Sequence, residues 1–419
     1  MSKLQIPVWI AILININIVI GSAFFMGASD ILSSSGLLGP ISWLLCGLLL
    51  LPLVVVLASL ASQYPKAGGL YVYSQQRLGP LWGFVSGWGY YVGAAAANAA
   101  VLHAFSERFQ EIGFIGNFLS GIGFGGIRLD LFLVALFTVF NLFNIEFLGG
   151  AQVLFTVLKS IPLLFVVLSL PFLFSMHNLT TAEMNWTGML GSFPLVLFAY
   201  IGIEACCAVT DKISGGKKNV SKVIFISFGL IMAIYCLLQF ALLCIHGQVQ
   251  TNAFLGILPL LTNNAAFVSW GNTILYIAIL SSFLGGFYGM FYYNNWNLNA
   301  IAQEKSILFS GPLTLLSKNQ APWVCVFVQS FLIVLFLVLT GDTYYLIAMA
   351  DFGTVIAYLL SCISFLTLRK TWIGGLSVLS CSTLIFLCSK NLLDAGLVYV
   401  IPFIIILVLG LVLHRASDA

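Results

Sequence analysis

Charge is what this sequence lacks. Its 16 basic and 13 acidic side chains make up 7% of 419 residues, against about 25% in a soluble globular domain. With 61% hydrophobic residues and a mean hydropathy of +1.08, so few charges cannot supply a water-facing surface, and a soluble fold is excluded. A net charge of +3 on 45.5 kDa forms no phosphate-binding face, so nucleic acid is not expected as a partner. Paired cysteine spacing is also missing. The nine Cys lie in or beside apolar runs and read as small hydrophobes, not as disulfides or metal ligands. The chain has no glycine-rich phosphate loop, no His/Cys metal cluster and no nucleophile–His–carboxylate set. His103, His177, His246 and His414 are scattered near the ends of apolar runs. Neither an enzyme, nor a resident cofactor or metal, nor ATP-driven transport is expected. A cleaved signal peptide is not expected either, because the first apolar run is too long and another follows at once.

What is present is a series of long apolar runs. A helix needs roughly 20 apolar residues to cross a bilayer, and twelve segments qualify: 6–27, 37–61, 80–105, 128–147, 151–174, 190–210, 222–245, 267–299, 322–340, 343–367, 372–388 and 395–413. The expectation is an all-α polytopic membrane protein forming one transmembrane domain over 1–419. With an even number of spans both termini share a side. The termini and even-numbered connections hold Lys3, Lys66, Arg77, Lys212, Lys217, Lys218, Lys222, Lys305, Lys318, Arg369, Lys370 and Arg415, whereas the odd-numbered ones hold only Arg108, Arg128 and Lys390. That bias predicts both termini on the cytoplasmic side. The remaining base, Lys159, falls inside the fifth span.

Two spans carry central breaks. The first reads Ile20-Gly21-Ser22-Ala23 and the sixth Tyr200-Ile201-Gly202-Ile203-Glu204. In lipid a backbone break is tolerated only where it lines a protein cavity. The two lie five spans apart, and an odd number of spans per repeat forces inverted topology, so they should meet near the midplane. Each glycine alone also fits simple close helix packing. Freed N–H groups after Gly21 favour a carboxylate, since the dipole is positive there. Unpaired carbonyls near Ile201 favour an ammonium. A zwitterionic amino acid carries both groups on one carbon.

Tyr64-Pro65-Lys66-Ala67-Gly68-Gly69-Leu70-Tyr71 followed by Leu78-Gly79-Pro80-Leu81-Trp82-Gly83 resembles the loop between spans two and three of the amino acid–polyamine–organocation (APC) superfamily. Ile20 to Phe25 resembles its unwound Gly-Ser-Gly segment, Phe198 to Glu204 its Phe-x-Gly-x-Glu stretch, and Lys217-Lys218-Asn219-Val220 the basic loop that follows. Ala23 and Ser221 depart from that pattern, where many members have Gly and Pro. The resemblance implies a LeuT-type 5+5 inverted repeat with discontinuous helices 1 and 6. Core repeats would cover about 6–174 and 190–367, with accessory helices over about 372–413. The nearest subgroup is the bacterial basic amino acid/polyamine antiporters. By that resemblance Ser22, Asn98, Phe198, Ile201 and Glu204 fall on substrate positions, with Ile20, Gly21, Ala23, Tyr200 and Gly202 beside them at the breaks.

Several polar residues admit two readings. Glu204 either takes part in proton coupling or is a hydrogen-bonded structural acid. Asn98, alone among alanines, either meets substrate or bonds a neighbouring helix. Asp351 belongs either to an outer gate or to an exposed helix end. The cluster from Asn294 to Asn299 has no sequence-level account. Lys159 lies about 12 Å into its span. It either snorkels back to the interface or, as in some sodium-independent members, is a coupling residue. In that role it would hold carbonyls freed around Ile18 to Ile20 and release them on losing its proton.

The expected function is secondary amino-acid transport by alternating access in a cell inner membrane, independent of Na⁺, by exchange or proton coupling. The partners are an amino acid or polyamine, protons and the lipid bilayer, and a homodimer is compatible with the sequence. A non-transporting sensor of the same fold and a polyamine or other organocation transporter are the alternatives.

Overall fold

The computed structural model describes residues 7–416 apart from 65, 67, 113–115, 119–120, 124, 144, 208–212, 216, 249–251 and 395. Lys3 and Lys212, used above for orientation, lie outside the described residues, as do the side chains of Lys217 and Lys218.

The protein is all-helical. In chain order the helices are α1 Val8–Val19, α2 Ser22–Ser35, α3 Gly39–Gln63, α4 Gly69–Leu78, α5 Pro80–Gln110, α6 Ile127–Phe140, α7 Ile145–Leu173, α8 Met176–Thr181, α9 Trp186–Gly191, α10 Phe193–Tyr200, α11 Lys217–His246, α12 Ile257–Leu261, α13 Ala265–Gln303, α14 Ser310–Leu313, α15 Trp323–Thr340, α16 Thr343–Leu368, α17 Trp372–Asp394 and α18 Leu397–Arg415. Their starts follow local chemistry. Proline occupies the first turn of α3, α5 and α10, where its missing N–H costs nothing. The Asp342 carboxylate accepts from the N–H groups of Tyr344 and Tyr345 to cap α16. The Asn264 side chain does the same for Phe267 at α13.

Among the described residues seven helices are long and apolar enough to cross a membrane, or eight when α1 and α2, bent by 49°, count as one span. The other four expected segments fall short for visible reasons. α5 has 31 residues, but its glycines, tyrosines and tryptophans together with Asn98 and His103 lower its hydropathy. α6 has 14 residues, the sixth segment is interrupted after Tyr200, and of the 19 residues of α18 the stretch Val400–Arg415 is the part described without gaps. Phe172, Trp270 and Phe386 are each more than 70% exposed, as suits a lipid-facing surface around a multi-pass bundle. The motif after α3, read as a loop, folds largely into α4.

Bare backbone brings α5 and α16 together. A side chain on Gly353 would meet the Gly93 Cα at 2.9 Å, and one on Gly93 the Ala350 oxygen at 3.0 Å. Small residues permit this approach, which sets the alanine-rich face of α5 against the centre of the bundle. The Asn-rich end of α13 also acquires an account. Asn294 donates to Tyr91 O at 3.0 Å, Asn299 to Leu313 O at 2.9 Å, and Gln303 to Asn299 Oδ1 at 2.8 Å. These amides pin α13 to α5 and to the turn at α14.

Candidate functional site

The α1–α2 helix pair stops and restarts at Ile20-Gly21. The first N–H groups of α2 have no partner within their own helix, and its N-cap residue, Gly21, has no side chain to cap them. On the other side of the break the carbonyls find partners from several helices. Tyr235 of α11 places its hydroxyl 3.0 Å from Val19 O, and Ser282 of α13 donates to Ile20 O at 3.0 Å. Lys159 of α7, 2% exposed, donates to Asn17 O at 2.7 Å and also to Ile20 O. Gln152, seven residues earlier on the same helix, pairs with the Asn17 side chain and donates to Gly285 O at 3.0 Å.

The second break follows α10. Ile201 is extended, at φ −63° and ψ 140°, and Gly202 has φ +106°, a conformation that favours glycine. The Glu204 carboxylate folds back to accept the Gly202 N–H at 3.2 Å. It also accepts the Tyr90 hydroxyl at 2.7 Å and the Tyr358 hydroxyl at 2.5 Å. Three donors on one carboxylate hold the turn against α5 and α16. The breaks meet: the Asn15 side chain donates to Ile203 O at 3.1 Å, and a Cβ on Gly202 would lie 2.8 Å from Ile18 Cγ2. The Tyr235 hydroxyl reaches both, lying 2.9 Å from Ala199 O as well.

A small cavity of about 40 Å³ opens between the breaks. Of the residues singled out from sequence, Gly21, Ser22, Ala23, Asn98, Phe198 and Ile201 line it. Asn98 is 1% exposed, and neither its amide nitrogen nor its oxygen has a partner among the described residues. Ile20, Tyr200, Gly202 and Glu204 are not on the wall. Tyr200 turns away, donating to Trp43 O at 3.0 Å, and Glu204 faces its tyrosines. Sequence reasoning missed Ala97, Val101, Gly286, Phe287 and Met290, which with Ile18 and Val19 of the first break complete the wall. The Gly285-Gly286 doublet was the available signal, because a Cβ on Gly286 would sit 3.4 Å from Ile18 O. No lining residue carries a charge. All nine cysteines are free thiols. Among the described residues no group of His, Cys, Asp and Glu could hold a metal ion.

Known proteins resemble the chain along most of its length. It is 27% identical to the serine/threonine exchanger SteT of Bacillus subtilis over 88% of this chain and 84% of that protein. It is 25% identical to the arginine/ornithine antiporter of Latilactobacillus sakei over 80% of this chain and 72% of that protein. An aspartate-proton symporter of Bacillus subtilis is 25% identical over 54% of this chain but only 45% of its own length. The model of the amino acid permease family matches residues 6–409, and the chain therefore belongs to that family, within the APC superfamily.

Proposed function

We propose that this protein is a secondary transporter of small neutral amino acids, working by exchange or proton coupling and without Na⁺. One observation carries the reading: the unpartnered amide of Asn98 shares a cavity with the uncapped start of α2. A buried amide without partners is costly, and a ligand carrying both donors and acceptors satisfies it. The α-carboxylate would take the N–H groups after Gly21, where the helix dipole is positive. The α-ammonium would take carbonyls at the α10 break. Phe198, Phe287 and Met290 would enclose a short side chain. A basic amino acid or polyamine, the subgroup the sequence resembles, would leave a second cation among apolar walls.

In this reading the chain crosses a cytoplasmic membrane twelve times with both termini inside, as a LeuT-type inverted repeat. Lys159 occupies the carbonyl oxygens that a metal cation would otherwise need, which supports Na⁺ independence. Losing its proton would free Asn17 O and Ile20 O and loosen the first break, which ties transport to pH.

Counterflow into proteoliposomes tests the proposal. Serine, threonine and alanine should exchange label without Na⁺, and arginine and agmatine should not. Exchange of arginine alone would overturn the substrate class, and binding without any exchange would point to a sensor.

A further inference from the structure

The polar residue least accounted for is Asp351 of α16. It is 1% exposed, and neither carboxylate oxygen has a partner among the described residues. Thr354, one turn on, has a hydroxyl in the same condition. Among the described residues no charged side chain pairs with Asp351. α3 and α17 bring the thiols of Cys46 and Cys388 within electrostatic reach. α5 presents Gly89 and Gly93 to α16. On α10 the Tyr200 hydroxyl is committed to Trp43 O, and on α4 the Tyr71 hydroxyl pairs with Ser306. An ionised carboxylate here would be a buried charge without compensation.

A cavity lies one turn away along α16, beyond the wall that buries Asp351. A cavity of about 630 Å³ opens where α2 ends and α16 begins, and Ile347, Ala348, Leu195 and Asn391 are among its lining residues. Ile347 and Ala348 precede Asp351 by four and three residues, so they share its helix face. Asn391 follows Cys388 by three on α17, and Cys388 is the thiol within reach of Asp351. Two helices thus lead from the cavity to the same carboxyl. Seven residues further along α16, Tyr358 donates to Glu204.

We propose that Asp351 is a proton-binding site of this transporter, loaded and emptied through the cavity between α2, α10, α16 and α17. The proposal rests on the transport reading above. In the loaded state a proton from water forms an O–H bond on the carboxylate, and the conformation described here is stable. Release returns that proton to water and leaves a charge this packing does not tolerate. The helices around the cavity floor then have to part. The link to Glu204 through one helix joins this event to the second break.

A hydrophobic carbodiimide, which reacts with protonated carboxyls in apolar surroundings, tests the site on wild-type protein in proteoliposomes across a pH series. Mass spectrometry should find the adduct on Asp351, declining as pH rises and insensitive to Na⁺. No adduct at any pH, or labelling that does not change with pH, overturns the proposal. Protection by Na⁺ at constant pH overturns it in favour of a metal site. Asp351→Asn should lose accumulation driven by a proton gradient and keep counterflow exchange. Gradient-driven accumulation equal to wild type in that variant also overturns it. Absence of counterflow in the wild type would instead sink the transport reading, and the carbodiimide series would still decide the proton site.

Discussion

The Lys159 ammonium lies 2.7 Å from the carbonyl oxygen of Asn17, a residue 142 positions earlier in the chain. A helix that stops inside a membrane leaves carbonyls without donors, and here a side chain from another helix supplies them. The same contact stabilises the first break and places a proton next to it.

Lys159→Ala should therefore act on coupling more than on folding. Asn17 O loses its donor, at a cost of about 1–3 kcal/mol if nothing replaces it, while Ser282 still serves Ile20 O. Thermal unfolding in detergent should show a lowered midpoint, and exchange should survive without coupled accumulation. Wild-type uptake should be equal in sodium and choline buffers. Sodium-dependent uptake, or wild-type pH dependence in the Ala variant, would remove Lys159 from the coupling step.

Asn98→Ala separates binding from structure. Among the described residues the amide has no hydrogen-bond partner, so its removal should leave the melting midpoint unchanged or slightly raised. Losing its bonds to substrate should raise the KM for exchange about tenfold, the equivalent of ~1.4 kcal/mol. A fall in melting temperature with unchanged KM would make Asn98 a helix-packing residue.

The two break glycines should respond differently. Alanine at Gly202 faces both φ +106° and a contact of 2.8 Å to Ile18, a strain of roughly 1–3 kcal/mol. Alanine at Gly21 would meet nothing closer than Ile18 O at 3.6 Å and should fold normally. Leucine at Gly21 projects into the cavity and should abolish substrate binding in a protein that still inserts. Scintillation proximity binding together with size-exclusion profiles reads both properties.

Glu204→Gln replaces an acceptor of three bonds with a group that must also donate. The expected loss is about 1–3 kcal/mol of stability, with Tyr90→Phe and Tyr358→Phe costing less. In a double-mutant cycle on melting the effects of Glu204 and Tyr358 should not add. Additive effects would show that the carboxylate is not held by the tyrosine.

Where the backbone breaks was legible because the cause is local: Gly21 and Gly202 sit beside polar neighbours in otherwise apolar runs. The family was legible from ordered landmarks. The rest of the cavity wall was not, because Ala97, Val101, Phe287 and Met290 are apolar residues in an apolar protein and carry no contrast. Nor was the posture of Glu204, whose tyrosine partners stand 114 and 154 residues away. The asparagines of α13 had no account in the sequence, and only their distant partners, Tyr91 O and Leu313 O, show Asn294 and Asn299 to be fasteners.

Tyr235 has one hydroxyl hydrogen and two carbonyls within reach, Val19 O on one broken helix and Ala199 O on the other. A hydroxyl has a single hydrogen to give. At any instant one carbonyl holds it and the other goes without, so the two halves of the bundle share one rotor. Whichever break draws away first forfeits the bond, and its counterpart inherits it without another side chain having to move. Tyr235→Phe would keep the ring stacked on Phe24 and take this donor from Val19 O and Ala199 O at once.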